Sequence, residues 1–127
     1  MEKVRSFTDL IAWKEAHKLV ISIYKMTEDF PRKECFGLTD QIRRAAVSIS
    51  SNIAEGFSRK TGLEKKHFYY ISIGSLTEVQ NQLLIARDVN YLSKEKFRPL
   101  ADLTLIVSRL INSLVKNIDK YNSLNKN

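Results

Sequence analysis

The chain has 127 residues, 43% hydrophobic and 28% charged, and its 21 Lys and Arg against 14 Asp and Glu give a formal charge of +7. That length holds one domain, which excludes a large two-domain enzyme, and the apolar content is too high for a disordered tail. Four glycines and two prolines cannot supply the frequent turns of an all-β sandwich or barrel, and the basic excess favours polyanionic partners.

The first periodic segment spans about residues 9–29, where Leu10, Trp13, Ala16, Val20, Ile23 and Met26 recur at three and four residues and form one helix stripe. Ser6, Thr8 and Asp9 offer oxygen acceptors to first-turn amides, and Phe30-Pro31 stops the helix because a residue before proline avoids helical angles. After a linker at 32–37 the stripe resumes over 38–56 with Leu38, Ile42, Ala45, Ala46, Ile49 and Ile53, and Gly56 is the expected terminator. Ser48, Ser50, Ser51 and Asn52 make this second helix small and polar elsewhere, which reads as a tightly packed face rather than a ligand site.

Thr61 and Glu64 have the spacing of a capping box, so a third helix is expected over 62–90, carried by Phe68, Ser72, Leu76, Val79, Leu83 and Ala86. Gly74 inside it costs about 1 kcal/mol relative to alanine and is read as a mark of close contact. Leu100, Leu103, Val107, Leu110, Leu114 and Ile118 define a fourth helix over 94–121. Pro99 falls inside it if Ser93 is the cap, so either a short turn precedes the helix or its first turns kink. Four such segments joined by short links predict an all-α, up-down-up-down antiparallel four-helix bundle occupying the whole chain as one domain. A single cysteine, Cys35, and a start without an apolar signal core point to the cytoplasm, and no apolar run approaches the roughly 20 residues a membrane span requires.

This topology turns a charge count into a map. The amino terminus, the link between helices 2 and 3 and the carboxyl terminus share one pole, which collects Lys3, Arg5, Arg59, Lys60, Lys65, Lys66, Lys116, Lys120 and Lys126 against Glu2, Asp9, Glu55, Glu64 and Asp119. The densest part, Arg59-Lys60 with Lys65-Lys66, lies beside a helix start whose free amides also favour anions, which makes phosphate a sensible guest. Tyr69 and Tyr70 are close enough to stack on bases, although adjacent residues face different ways and one of the two belongs to the core. A solvated basic surface that only aids solubility is the competing reading.

Catalytic chemistry is sparse. His17 and His67 lack the company a zinc site needs, and Glu64-x-x-His67 supplies only half of the carboxylate–imidazole set of a di-iron bundle. No Gly-x-Ser-x-Gly elbow, P-loop or dinucleotide fingerprint is present, and Cys35 has no base nearby in sequence. Asn52-Ile53-Ala54-Glu55-Gly56 places an amide and a carboxylate on an apolar helix end, a pattern suited to capping or cross-linking chains. No catalytic residue, metal ligand or cofactor is therefore expected.

Several strings together carry a resemblance: Phe30-Pro31 with Glu34, Gly37-Leu38, the run from Gln41 to Ile49, Ser51-Asn52-Ile53-Ala54-Glu55-Gly56-Phe57, Arg59, and Gly74-Ser75-Leu76 with Glu78. The chain resembles the bacterial four-helix-bundle family encoded in intervening sequences of 23S ribosomal RNA genes, over nearly its whole length and including Leu10 and Trp13. Ser50, where relatives favour proline, and Pro99 are its departures. The resemblance implies a homopentameric ring. The chain is similar as well to the accessory protein of diversity-generating retroelements, a basic pentameric bundle that binds nucleic acid and a reverse transcriptase.

The expected function is a non-enzymatic homo-oligomer that binds RNA or DNA through Arg43, Arg44, Arg59, Lys60, Lys65 and Lys66, with Asn52, Glu55 and Gly56 at a subunit interface or in a structural role. The alternative is a scaffold that binds a reverse transcriptase or another protein without a nucleic-acid role. No membrane partner is expected.

Overall fold

The computed structural model describes residues 3–124. Glu2 and Lys126, counted above at the basic pole, lie outside the described residues. Four helices follow one another: α1 (Ile11–Thr27), α2 (Leu38–Ser58), α3 (Gly62–Asp88) and α4 (Lys94–Leu124), with single 3-10 turns at Phe7–Asp9 and Arg32–Glu34. Each helix packs on its two neighbours around a square, α1 on α2 and α4, and α3 on α2 and α4, with α2 against α3 the most extensive contact. The chain is an all-α four-helix bundle. None of the helices is long and apolar enough to cross a membrane among the described residues.

The ends of the elements differ from expectation for local reasons. Ser6 caps the first 3-10 turn, its Oγ accepting the Thr8 amide at 3.2 Å while Asp9 accepts the Arg5 and Ser6 amides at 2.9 and 3.2 Å. Those two backbone bonds hold the Asp9 carboxyl below the usual range. Leu10 is extended, so α1 starts only at Ile11. Gly56 does not terminate α2: the helix runs on to Ser58 and stops where Arg59 becomes extended. Asn90, at φ 67°, turns the chain out of α3, with the Tyr91 and Leu92 amides reaching back to the Ala86 carbonyl.

Ser93 does cap α4, through the Lys96 amide at 3.2 Å, and the helix continues through Pro99. The missing proline N–H leaves the Glu95 carbonyl without its helical donor. Both residues are exposed, so water can take that place.

Leu19, Ile23, Ile42, Ile49, Ile53, Leu76, Val79, Leu83, Val107 and Ile111 are fully buried and form the core. The serines of α2 and α3 bind the two helices together. Ser72 donates to the Ile49 carbonyl at 2.7 Å, Ser48 and Ser75 share a hydrogen bond of 2.8 Å, and Asn52 donates to the Ser48 carbonyl at 2.8 Å. Ser48 therefore belongs to a packed seam with α3, whereas Asn52 bonds within α2, Ser50 bonds to the Val47 carbonyl of its own helix, and Ser51 is exposed. In the third stripe Tyr69 is buried, where Phe68 was expected, and Phe68 is half-buried.

Both poles are tied across the chain. At the upper pole Glu34 accepts the Leu38 amide at 3.1 Å, capping a helix whose Gly37 has no side chain to do so, and takes the Tyr91 hydroxyl at 2.8 Å. These bonds, the Leu38 amide first, hold the Glu34 carboxyl below its ordinary range. At the lower pole Lys66 pairs with Asp119 at 2.7 Å, joining the start of α3 to the end of α4.

Gly56 and Gly74 behave in opposite ways. A Cβ on Gly56 would lie 2.6 Å from Tyr69 Cε1 and 3.2 Å from the Lys65 carbonyl, so this glycine lets α2 and α3 close on each other. A Cβ on Gly74 would meet nothing within 4 Å, and the close contact expected there is absent inside the chain. Gly56→Ala should lower stability by about 1–3 kcal/mol, because a buried ring and a backbone carbonyl must both yield, and the loss is read as a lowered denaturant midpoint.

Candidate nucleic-acid interface

Basic residues distant in sequence do meet at the lower pole, but most of those singled out from sequence are engaged within the chain. Arg59 pairs with Glu55 at 3.3 Å and lies over the Phe68 ring at 4.6 Å from its centroid, its Nε buried without a partner. Lys66 is held by Asp119, and that hydrogen bond raises the ammonium's pKa. Lys65 donates to the Phe57 carbonyl at 2.7 Å and approaches the Gly56 carbonyl at 3.5 Å, covering open acceptors at the end of α2. Burial lowers its pKa. Lys60 alone of this group is exposed with no ion pair among the described residues.

Arg43 and Arg44 sit on the upper half of α2, away from that pole. Arg43 donates from Nε to the Thr27 hydroxyl at 2.8 Å and stacks over the Tyr24 ring at 4.7 Å, fastening α2 to the end of α1. Arg44 pairs with Asp40 one turn earlier at 2.9 Å. Among the interface candidates, Asn52 is half-buried on Ser48, Glu55 is exposed and holds Arg59 and Ser58, and Gly56 is buried against Tyr69. Gly56 thus serves packing inside the chain. Exposed ion pairs such as Arg44–Asp40 contribute roughly 0–1 kcal/mol each, yet each also offsets one positive charge that a polyanion would otherwise meet.

A second basic surface lies along the outer face of α4. No acidic residue occurs between Asp102 and Asp119, where Arg109 and Lys116 are exposed, and Lys120 follows directly; none of the three has an ion pair among the described residues. Arg109 and Lys116 are seven residues apart, two helical turns and about 10 Å along the axis, so both project from one face. With Leu105, Ser108, Asn112 and Ser113 they line a shallow hollow of about 310 Å³. Asn112 donates to the Ser108 carbonyl at 2.9 Å and Ser113 to the Arg109 carbonyl at 3.0 Å. This stripe is legible in the sequence as an acid-free window with basic residues at helical spacing, too widely spaced to stand out as a dense cluster.

The outer face of α3 has the opposite character. From Phe68 to Ala86 the only charged residue is Glu78, and Tyr70, Ile71, Leu84 and Ile85 are exposed large side chains. Gly74 lies on this face. No group of three or more His, Cys, Asp or Glu gathers as a metal site among the described residues. His67 is exposed, its ring edge-on to Phe68 at 5.1 Å.

The class that the helices and their packing define is the all-α four-helix bundle. The sequence profile of the 23S rRNA-intervening sequence protein family matches residues 8–113, and the chain belongs to that family. A crystal structure from Bacteroides thetaiotaomicron, described as a protein with unknown function from the S23 ribosomal protein family, superposes with a TM-score of 0.75 at 18% identity, covering 84% of this chain and 99% of that one. At that identity the likeness supports the fold alone. No curated protein matches the chain at a significant level.

Proposed function

We propose that the chain is a non-enzymatic, homo-oligomeric accessory protein that binds RNA or DNA through phosphate contacts. The observation that carries this reading is the α4 stripe, where Arg109, Lys116 and Lys120 are exposed and without an ion pair among the described residues, and where the one acid from residue 103 to residue 120, Asp119, is held by Lys66. Unpaired cations release counterions from a phosphate backbone, whereas cations already held by carboxylates must first give up a partner. The interface expected from sequence at Arg43, Arg44, Arg59, Lys65 and Lys66 therefore moves to α4, with Lys60 kept. Asn112 and Ser113 add neutral polar groups of the kind that position a backbone without reading its sequence.

The homo-oligomer rests on the α3 face. Its near absence of charge, its exposed Ile71, Leu84 and Ile85, and a glycine whose cost nothing in the chain explains suit the close approach of a second copy. Each copy carries +7, so assembly into the ring of five that the family resemblance implies multiplies a modest field into a strong one. A neutral face also suits a different protein, which is the ground for the scaffold reading.

Binding to mixed-sequence RNA should weaken steeply between roughly 50 and 200 mM salt. Replacing Arg109, Lys116 and Lys120 by alanine should reduce the log–log salt slope by about 2–3 for each subunit engaged, while Arg59→Ala with Lys66→Ala changes it little. An unchanged slope in the triple variant contradicts the α4 assignment. For assembly, light scattering should give a mass several times 14.7 kDa for the wild type and close to 14.7 kDa for Gly74→Arg. A variant that keeps the wild-type mass removes the α3 face from the account.

A further inference from the structure

The lower pole also holds a cavity of about 350 Å³ between the amino-terminal segment, the α2–α3 link and the end of α4. Its size falls within the roughly 300–1,000 Å³ typical of small-molecule sites. The walls are mainly apolar, from Phe57, Leu114 and Ile118, and polar groups converge on them from Lys60, Asn117 and Tyr69. Tyr69 is only 3% exposed, and its hydroxyl, which has no hydrogen-bond partner among the described residues, is not enclosed by the chain. On the cavity lining it offers a polar position to a guest. Burial also raises the Tyr69 pKa, which keeps the hydroxyl protonated and able to donate.

The wall pattern selects the guest. A simple hydrocarbon would leave the hydroxyl and the amide unmatched, and a bare phosphate would gain nothing from the apolar walls. A flat, largely apolar ring with polar edge atoms satisfies both, and the exposed ammonium of Lys60 on the cavity lining supplies charge complementarity for a phosphate attached to it.

Resting on the nucleic-acid reading above, we propose that this cavity receives one unstacked nucleobase of a single strand, with the adjoining phosphate on Lys60. The α4 stripe then holds the backbone, and the pole makes binding depend on the presence of bases. Lys116 and Lys120 lie on the same helix as Leu114, Asn117 and Ile118, so the two features belong to one stretch of α4.

The test compares the full chain binding a short oligouridylate with its binding to a strand of the same length whose ribose-phosphate backbone carries no bases, both by fluorescence anisotropy across a salt series. The base-bearing strand should bind at least about fivefold tighter, the scale of a single base–aromatic stack. Asn117→Trp, at an exposed position on the cavity lining, should bring that ratio to about one without altering the salt slope. Tyr69→Phe removes a hydroxyl that bonds to nothing in the chain, so it should keep the fold and reduce the ratio part of the way. Equal binding of the two strands by the wild type, or a ratio untouched by both variants, overturns the base pocket while leaving phosphate binding in place. If neither strand binds at low salt, the nucleic-acid reading fails and this inference fails with it.

Discussion

The junction of α2 with α3 depends on how the end of one helix is received by the start of the next. Gly56 has no side chain, so the Tyr69 ring can lie against the α2 backbone, at a distance that a Cβ would reduce to 2.6 Å. That approach brings the Lys65 ammonium to the Phe57 carbonyl at 2.7 Å, where it satisfies an acceptor the helix leaves open. With the last turn of α2 and the first of α3 fixed together, the short link between them points outward. The link carries Lys60 into solvent, and Tyr69 becomes a wall of the polar cavity.

The same closeness explains why charge at this pole is a poor guide to charge available for a partner. A lysine drawn onto helix carbonyls and an arginine laid over the Phe68 ring are doing structural work, and the Lys66–Asp119 pair joins residues 53 positions apart. On α4 no acid lies within a turn of Arg109, and the one acid within a turn of Lys116, Asp119, is taken by Lys66. A net charge of +7 is therefore distributed unevenly in its effect. The basic surface open to a polyanion follows the stretch of α4 between Asp102 and Asp119 and the turn after it, and the densest cationic run in the sequence is largely satisfied from within.

The four helices and their order were legible because each stripe repeats at three and four residues over several turns, and the joining links are too short for any other path. Arg59–Glu55 and Arg44–Asp40 were also readable, being one helical turn apart. Lys66–Asp119 and the capture of Lys65 by the α2 carbonyls required the fold. The glycines reversed their apparent roles. Gly56 resembles a helix stop by its place near a helix end, whereas its function depends on a tyrosine 13 residues later, and Gly74 looks like an internal packing site although it faces outward. A glycine's neighbours across a helix pair are set by rotation about the helix axes, which one-dimensional spacing specifies poorly.

Some lysines are held inside the chain and others are left for a partner. Chemical acetylation of the folded protein with and without bound RNA, read residue by residue by mass spectrometry, tests that division most directly. In the free protein Lys116 and Lys120 should react faster than Lys66, whose ammonium is held by Asp119, and RNA should protect the first two while leaving Lys66 unchanged. Protection of Lys66 with Lys116 and Lys120 still fully reactive would contradict it.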